Sequence, residues 1–92
     1  MKTPLGTAGE AVRGNVITLR KGQNLTYAEM TRRLSEIGQP IPELGLRNIE
    51  RGQRKVDVDE LVALSAVLGS SPAALLNPHI KFHFIADIVE KD

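Results

Sequence analysis

Three times the chain spells the same helix-opening signal, a short hydroxyl or carboxylate followed three residues later by glutamate: Thr7 with Glu10, Thr26 with Glu29, Asp57 with Glu60. In that pattern the first side chain accepts a hydrogen bond from the glutamate's backbone N–H, and the glutamate reaches back to the first residue's own N–H. Ser71-Pro72 makes a further opening, a capping hydroxyl before a proline whose fixed φ and missing N–H suit the first helical position. Apolar residues at three- and four-residue spacing follow the longer openings, and glycine closes most of them. A chain punctuated this densely folds into short helices with tight connections. The sequence therefore predicts an all-α domain of five helices.

The first helix is predicted to begin near Ala8 and to bury Val12, Val16 and Leu19. It ends at Gly22-Gln23-Asn24, because Asn tolerates the left-handed conformation that closes many helices. The second opens on Thr26, with Leu25 stapled onto Met30, and continues its apolar face through Leu34 and Ile37 to a stop at Gly38 and Pro40. The third runs from Pro42 to Arg51, with Gly52 as its C-terminal cap. The fourth opens on Asp57, staples Val56 to Leu61, buries Leu61, Leu64 and Leu68, and ends at Gly69. The short fifth reaches Leu76, and Asn77-Pro78 closes it.

Residues 1–6 are then a flexible start, 7–77 the helical domain and 78–92 an extension. In the extension Ile80, Phe82 and Phe84 alternate with Lys81 and His83, which is strand spacing, before Ile85, Ile88 and Val89 break the alternation. A lone strand cannot stabilise itself. This segment must pack on the helices or pair with another chain, which makes it a candidate dimerisation segment.

Several function classes are excluded by what the chain lacks. Ninety-two residues make one domain. With one Tyr, two Phe and no Trp, the core must be aliphatic. The absence of Cys removes a disulfide framework, a thiolate metal site and a cysteine nucleophile, and suits the cytoplasm. MKTPLGTAGEAV lacks the apolar core of a signal peptide, and no run of about 18 apolar residues offers a membrane span. Neither a glycine-rich phosphate loop nor a nucleophile-and-base set occurs, so an enzyme and a cofactor are not expected. His79 and His83 are spaced to share a metal only in a helix, and their stretch is strand-like without a third ligand. Asp57 and Glu60 are accounted for as caps, which leaves no catalytic carboxylate pair.

Charge is segregated. Residues 1–55 carry ten Lys/Arg and five Asp/Glu, a net of +5, and residues 56–92 carry a net of −4. A basic half favours an anionic partner such as nucleic acid. On the third helix, residues placed about 100° apart put Pro42, Leu46 and Ile49 on the core side and Leu44, Arg47, Asn48 and Arg51 on the other. Arg suits guanine, Asn suits adenine, and an aliphatic side chain suits the thymine methyl. Gln53, Arg54 and Lys55 follow in the next turn, where they could hold phosphates. Such a face alone is also an ordinary solvated helix surface. The order of elements adds weight: a capped helix, a second helix with an outward Arg/Asn face, then two packing helices is the plan of a helix-turn-helix domain.

The segments LRKGQNLTYAEMTRRL and GLRNIERGQRKVDVDELVALSAVLGSSPAALL resemble the Cro/C1-type (XRE) helix-turn-helix family, lambda-repressor-like, in the forms found in actinobacteria and their phages. The resemblance covers about residues 12–76. It implies a five-helix fold and a sequence-specific regulator of transcription, of the repressor kind, that binds double-stranded DNA as a homodimer on an inverted-repeat operator. It implies that Arg20 and Glu50 pair to lock the first helix to the recognition helix. It also implies that Thr26 caps the second helix against the DNA backbone, with Tyr27 beside it in a place where the family often has Gln. Thr31 stands where the family carries a small residue, generally Ala. The stretch SEIGQPIPELG is about five residues longer than the family's tight turn. A different class of function also fits this sequence: a protein-interaction module, such as an antitoxin, that uses the acidic second half and the C-terminal segment. RNA binding is disfavoured, because Tyr27 is the one aromatic in the basic half.

Overall fold

In the computed structural model, which describes residues 5–78, the starts and stops become five helices: α1 (Thr7–Gly22), α2 (Tyr27–Glu36), α3 (Glu43–Glu50), α4 (Val58–Val67) and α5 (Pro72–Leu76). The described residues are thus all-helical, as predicted. The strand-like segment from Ile80 to Phe84, and with it the candidate dimerisation segment, lies outside them.

One device ends all four longer helices. A residue with positive φ follows the cap, Asn24 (56°), Gly38 (85°), Gly52 (75°) or Gly69 (68°). The next amide then folds back onto a carbonyl five residues earlier: Leu25 to Arg20, Gln39 to Leu34, Gln53 to Asn48 and Ser70 to Ser65, all at 2.8–3.0 Å. These are Schellman closures, and they satisfy carbonyls that the helix itself leaves open.

Openings are less uniform. Thr26 accepts from the Glu29 amide, Ser71 from the Ala74 amide, and Asp57 with Glu60 forms a complete capping box. Thr7 does not cap. It is the first residue of α1, the cap is Gly6 without a side-chain bond, and Glu10 pairs instead with Arg13 at 3.4 Å. Pro42 is likewise a cap rather than the first helical residue, and α3 is eight residues long. As an extended cap outside the wheel, Pro42 is exposed and not on the core face.

The core gathers Val12 and Val16 of α1, Leu25, Met30 and Leu34, Ile41, Leu46 and Ile49 of α3, and Ala63, Leu64, Leu68 and Leu75. Val16, Met30, Leu34, Ile41, Leu64 and Leu75 keep no exposed surface. Each such aliphatic side chain stabilises the fold by about 1.5–3 kcal/mol relative to an exposed one. Leu19 and Leu61 pack against this cluster while partly buried. Ile37, predicted to continue the α2 stripe, is 52% exposed. It is the cap of α2, where the chain already turns away, and Ile41 supplies the buried side chain after the turn.

Helix α1 packs on α3 and α5, α2 on α3 and α4, and α4 on α5. Two polar side chains of the first segment fasten these contacts by closing other helices. The buried Asn15 amide donates to the carbonyls of Leu75 (2.8 Å), Asn77 (2.7 Å) and Ala74 (3.3 Å) at the end of α5. Gln23 donates to the Leu68 carbonyl, 2.8 Å, at the end of α4. No helix among the described residues is long and apolar enough to cross a membrane.

Candidate nucleic-acid interface

The connection that leads into α3 is pinned at one point. Thr31 on α2 donates its hydroxyl to the Ile41 carbonyl at 3.0 Å. The Ile41 side chain turns into the core beneath the first turn of α3, so close that a Cβ on Gly45 would stand 3.0 Å from its Cγ2. A methyl group there would crowd the buried Ile41 side chain, which would have to give by a few tenths of an ångström. Thr31 and the long connection therefore meet in a single hydrogen bond. The flanking residues Gly38, Pro40 and Pro42 are exposed, and only Ile41 is driven home.

On α3 the two faces separate much as the wheel places them. Leu46, Ile49 and Glu50 are buried, Leu44 is 64% exposed, Arg47 and Arg51 are exposed, and Asn48 is half-buried. Arg51, Gln53 and Lys55 are exposed and make no side-chain hydrogen bond or ion pair with the described residues. Arg54 sits differently. Its guanidinium grips Glu60 with two hydrogen bonds, 2.9 and 2.6 Å, and bridges the loop after α3 to the first turn of α4. Those bonds give Arg54 a structural task that its place in the sequence does not reveal, since Glu60 is already accounted for as a cap.

Behind the exposed face lies a polar knot. Arg20 donates to both Glu50 oxygens, from Nε at 2.6 Å and Nη2 at 3.0 Å, and its third nitrogen donates to the Leu25 carbonyl at 2.9 Å. Both side chains are about nine-tenths buried. Bidentate geometry with a partner for the third nitrogen as well favours a buried ion pair that holds its shape. The Glu50 hydrogen bonds raise the Arg20 pKa above its ordinary value against the cost of burial. The pairing expected of Arg20 and Glu50 is thus present.

Tyr27 completes the knot. Its hydroxyl donates to Glu50 Oε1 at 2.8 Å, and its ring lies under two guanidinium groups, Arg20 at 4.3 Å and Arg47 at 4.6 Å from the centroid. Burial, then Glu50, pushes the phenol pKa up. No spacing in the sequence links positions 27, 47 and 50. The packing of α2 on α3 brings them together. Asn15 carried a readable signal, a polar residue inside the apolar stripe of α1, as did the threonine at position 31.

Thr26 is exposed at the start of α2, one residue from Tyr27. The structure therefore brings Tyr27 of α2 against Arg47 of α3, with Thr26 capping α2, Leu44 exposed on α3 and Arg51 exposed as the C-cap of α3. No known protein family, curated protein or solved structure matches the chain.

Proposed function

We propose that this domain is a sequence-specific double-stranded DNA-binding regulator, of the repressor kind, that lays α3 in the major groove. The observation that carries the reading is the way α3 is presented: an eight-residue helix with Leu44 and Arg47 outward and the exposed Arg51 as its C-cap, clamped from behind through Glu50. A short helix held rigidly at its base can insert its outer side chains without reorganising. The resemblance to the Cro/C1-type family points the same way. In this reading Arg47 and Arg51 take guanine edges, Asn48 an adenine and Leu44 a thymine methyl. Thr26, Gln53 and Lys55 lie toward phosphates, and a homodimer spans an inverted-repeat operator.

Selection of ligands from a random duplex pool, followed by titration of the selected duplex, tests it. Arg47→Ala weakens binding to the selected duplex by about 1–3 kcal/mol and relaxes one base position. Lys55→Ala weakens all sequences alike and reduces the salt slope by about one. Binding of Arg47→Ala to selected and random duplexes at wild-type strength would refute the reading.

A second reading, a protein-interaction module of the antitoxin kind, is favoured by one observation. Val58 on α4 and Leu76 on α5 are 76% and 42% exposed, and they line a cleft of about 500 Å³ with Val12, Val56 and Leu61 among others. Deletion of residues 79–92 separates the roles. If that segment dimerises the protein, light scattering reports monomers, and binding to a two-half-site duplex falls much more than binding to a single half-site.

A further inference from the structure

We infer that Tyr27 is a positioning residue for DNA reading: it stacks on the Arg47 guanidinium and holds that arginine in place on α3 before DNA arrives. The inference rests on the reading of α3 as the recognition helix and adds a named device to it.

Two contacts fix the ring. Its hydroxyl is tied to Glu50, the last residue of α3, and Arg20 stacks on it from α1. Because Glu50 is itself gripped twice by Arg20, the tip of the ring cannot swing without breaking that knot. Arg47 lies one helical turn before Glu50, and its guanidinium carbon rests 4.6 Å from the ring centroid. A planar cation over an aromatic face keeps its edge donors free, so stacking restrains the group without occupying the hydrogen bonds that a base would take.

The other contact to Arg47 is weaker. Glu43 approaches it at 3.8 Å, and both side chains are nearly half exposed. Exposed pairs of that kind contribute little and yield readily to a competing acceptor. Arg51, on the same outward face, has neither a ring nor an ion pair with the described residues. The two arginines therefore differ. Arg47 is held in place before binding and Arg51 is not, so loss of the ring acts on one of them.

The test uses the duplex selected by the wild-type protein and measures the ratio of its affinity to that for a random duplex. Tyr27→Leu lowers this ratio by about 3- to 10-fold, while affinity for the random duplex stays within about 2-fold. Tyr27→Phe keeps the ring, loses the Glu50 bond and stays within about 3-fold of wild type. In an Arg47→Ala background, Tyr27→Leu changes the ratio no further, whereas its effect persists in an Arg51→Ala background. A wild-type ratio for Tyr27→Leu, or an undiminished effect without Arg47, overturns the inference.

A second measurement is independent of DNA and of the variants' folding. In the wild-type protein, NMR finds the Arg47 side-chain Nε–H shifted upfield by the ring current of Tyr27. An unshifted Arg47 resonance overturns the inference whether or not a duplex binds. A shifted resonance in a protein that binds no duplex rejects the DNA reading and leaves the Tyr27–Arg47 contact standing.

Discussion

Two arginine–glutamate pairs lie at and just beyond the C-terminal end of α3, and they are built alike but placed differently. Each is bidentate, each has a bond of 2.6 Å, and in each the glutamate side chain is 8% exposed. Arg20 reaches Glu50 across thirty residues and is 11% exposed. Arg54 reaches Glu60 across six and is 35% exposed. The first pair joins α1, α2 and α3, because Tyr27 also bonds Glu50. The second joins a loop to the helix that follows it, where the capping box has already fixed Glu60. Distance along the chain and exposure decide what each pair does. A long-range buried pair sets the relation between helices, and a local half-exposed one trims a junction that backbone bonds already define.

The contrast is sharpest when the acids are removed one at a time. Glu50→Ala strands the buried Arg20 guanidinium and the Tyr27 hydroxyl, and costs about 3–5 kcal/mol of folding stability. Glu60→Ala loses one side of the capping box and a partly solvated pair, and costs about 1–2 kcal/mol. Urea unfolding followed by circular dichroism measures both. Equal losses would erase the distinction. A Glu50→Ala protein that folds with wild-type stability would show that the knot is ornamental to the fold.

This contrast also explains what was readable in the chain. Backbone devices are local, so Thr26, Asp57 and Ser71 as caps, and Asn24, Gly38, Gly52 and Gly69 as closures, could be read from neighbours one to three residues away. The misreadings fell at edges where two local solutions compete. Thr7 yielded to Gly6, Pro42 became a cap, and Ile37 gave its core place to Ile41 across a turn. For the candidate site, the outward face of α3 followed from helical angle alone, and Arg20–Glu50 followed from family resemblance. The bonds of Tyr27, Thr31 and Arg54 depend on which helices meet, and the sequence does not state that.

Asn15 tests whether long-range fastening by neutral groups follows the same rule. Its amide closes three carbonyls at the end of α5, about sixty residues away. Asn15→Ala leaves those acceptors without their donor and costs about 1–3 kcal/mol. Hydrogen exchange finds the loss concentrated in α5, and a loss spread evenly over α1–α4 would contradict the fastening.

Glu60 gives the local pair a pH signature. Arg54's hydrogen bonds, aided by the Asp57 amide, hold its pKa below the ordinary value of 4.5 against the opposing effect of burial. A carboxylate depressed in the folded state binds its proton more readily when unfolded. Its contribution is therefore fully present above the ordinary value and is lost as the pH falls through the lower folded value. Glu60→Gln removes this part of the acid dependence below pH 4.5 and leaves the neutral-pH slope unchanged. An unaltered acid slope in the variant would mean that the pair does not persist in solution.

The smallest effect belongs to a third kind of ion pair. On α2, Arg32 bonds Glu29 and, at 2.7 Å, Glu36, one turn away on either side. These partners are as close as those of Arg20, but all three side chains are well exposed, with Arg32 at 55%. Water and salt replace such contacts, and holding three long side chains together costs rotamer freedom. Arg32→Ala therefore costs less than about 0.5 kcal/mol, and that small loss vanishes at high salt. Thermal melts at low and high ionic strength measure it. A loss as large as that of Glu60→Ala, unmoved by salt, would show that exposure does not rank these pairs.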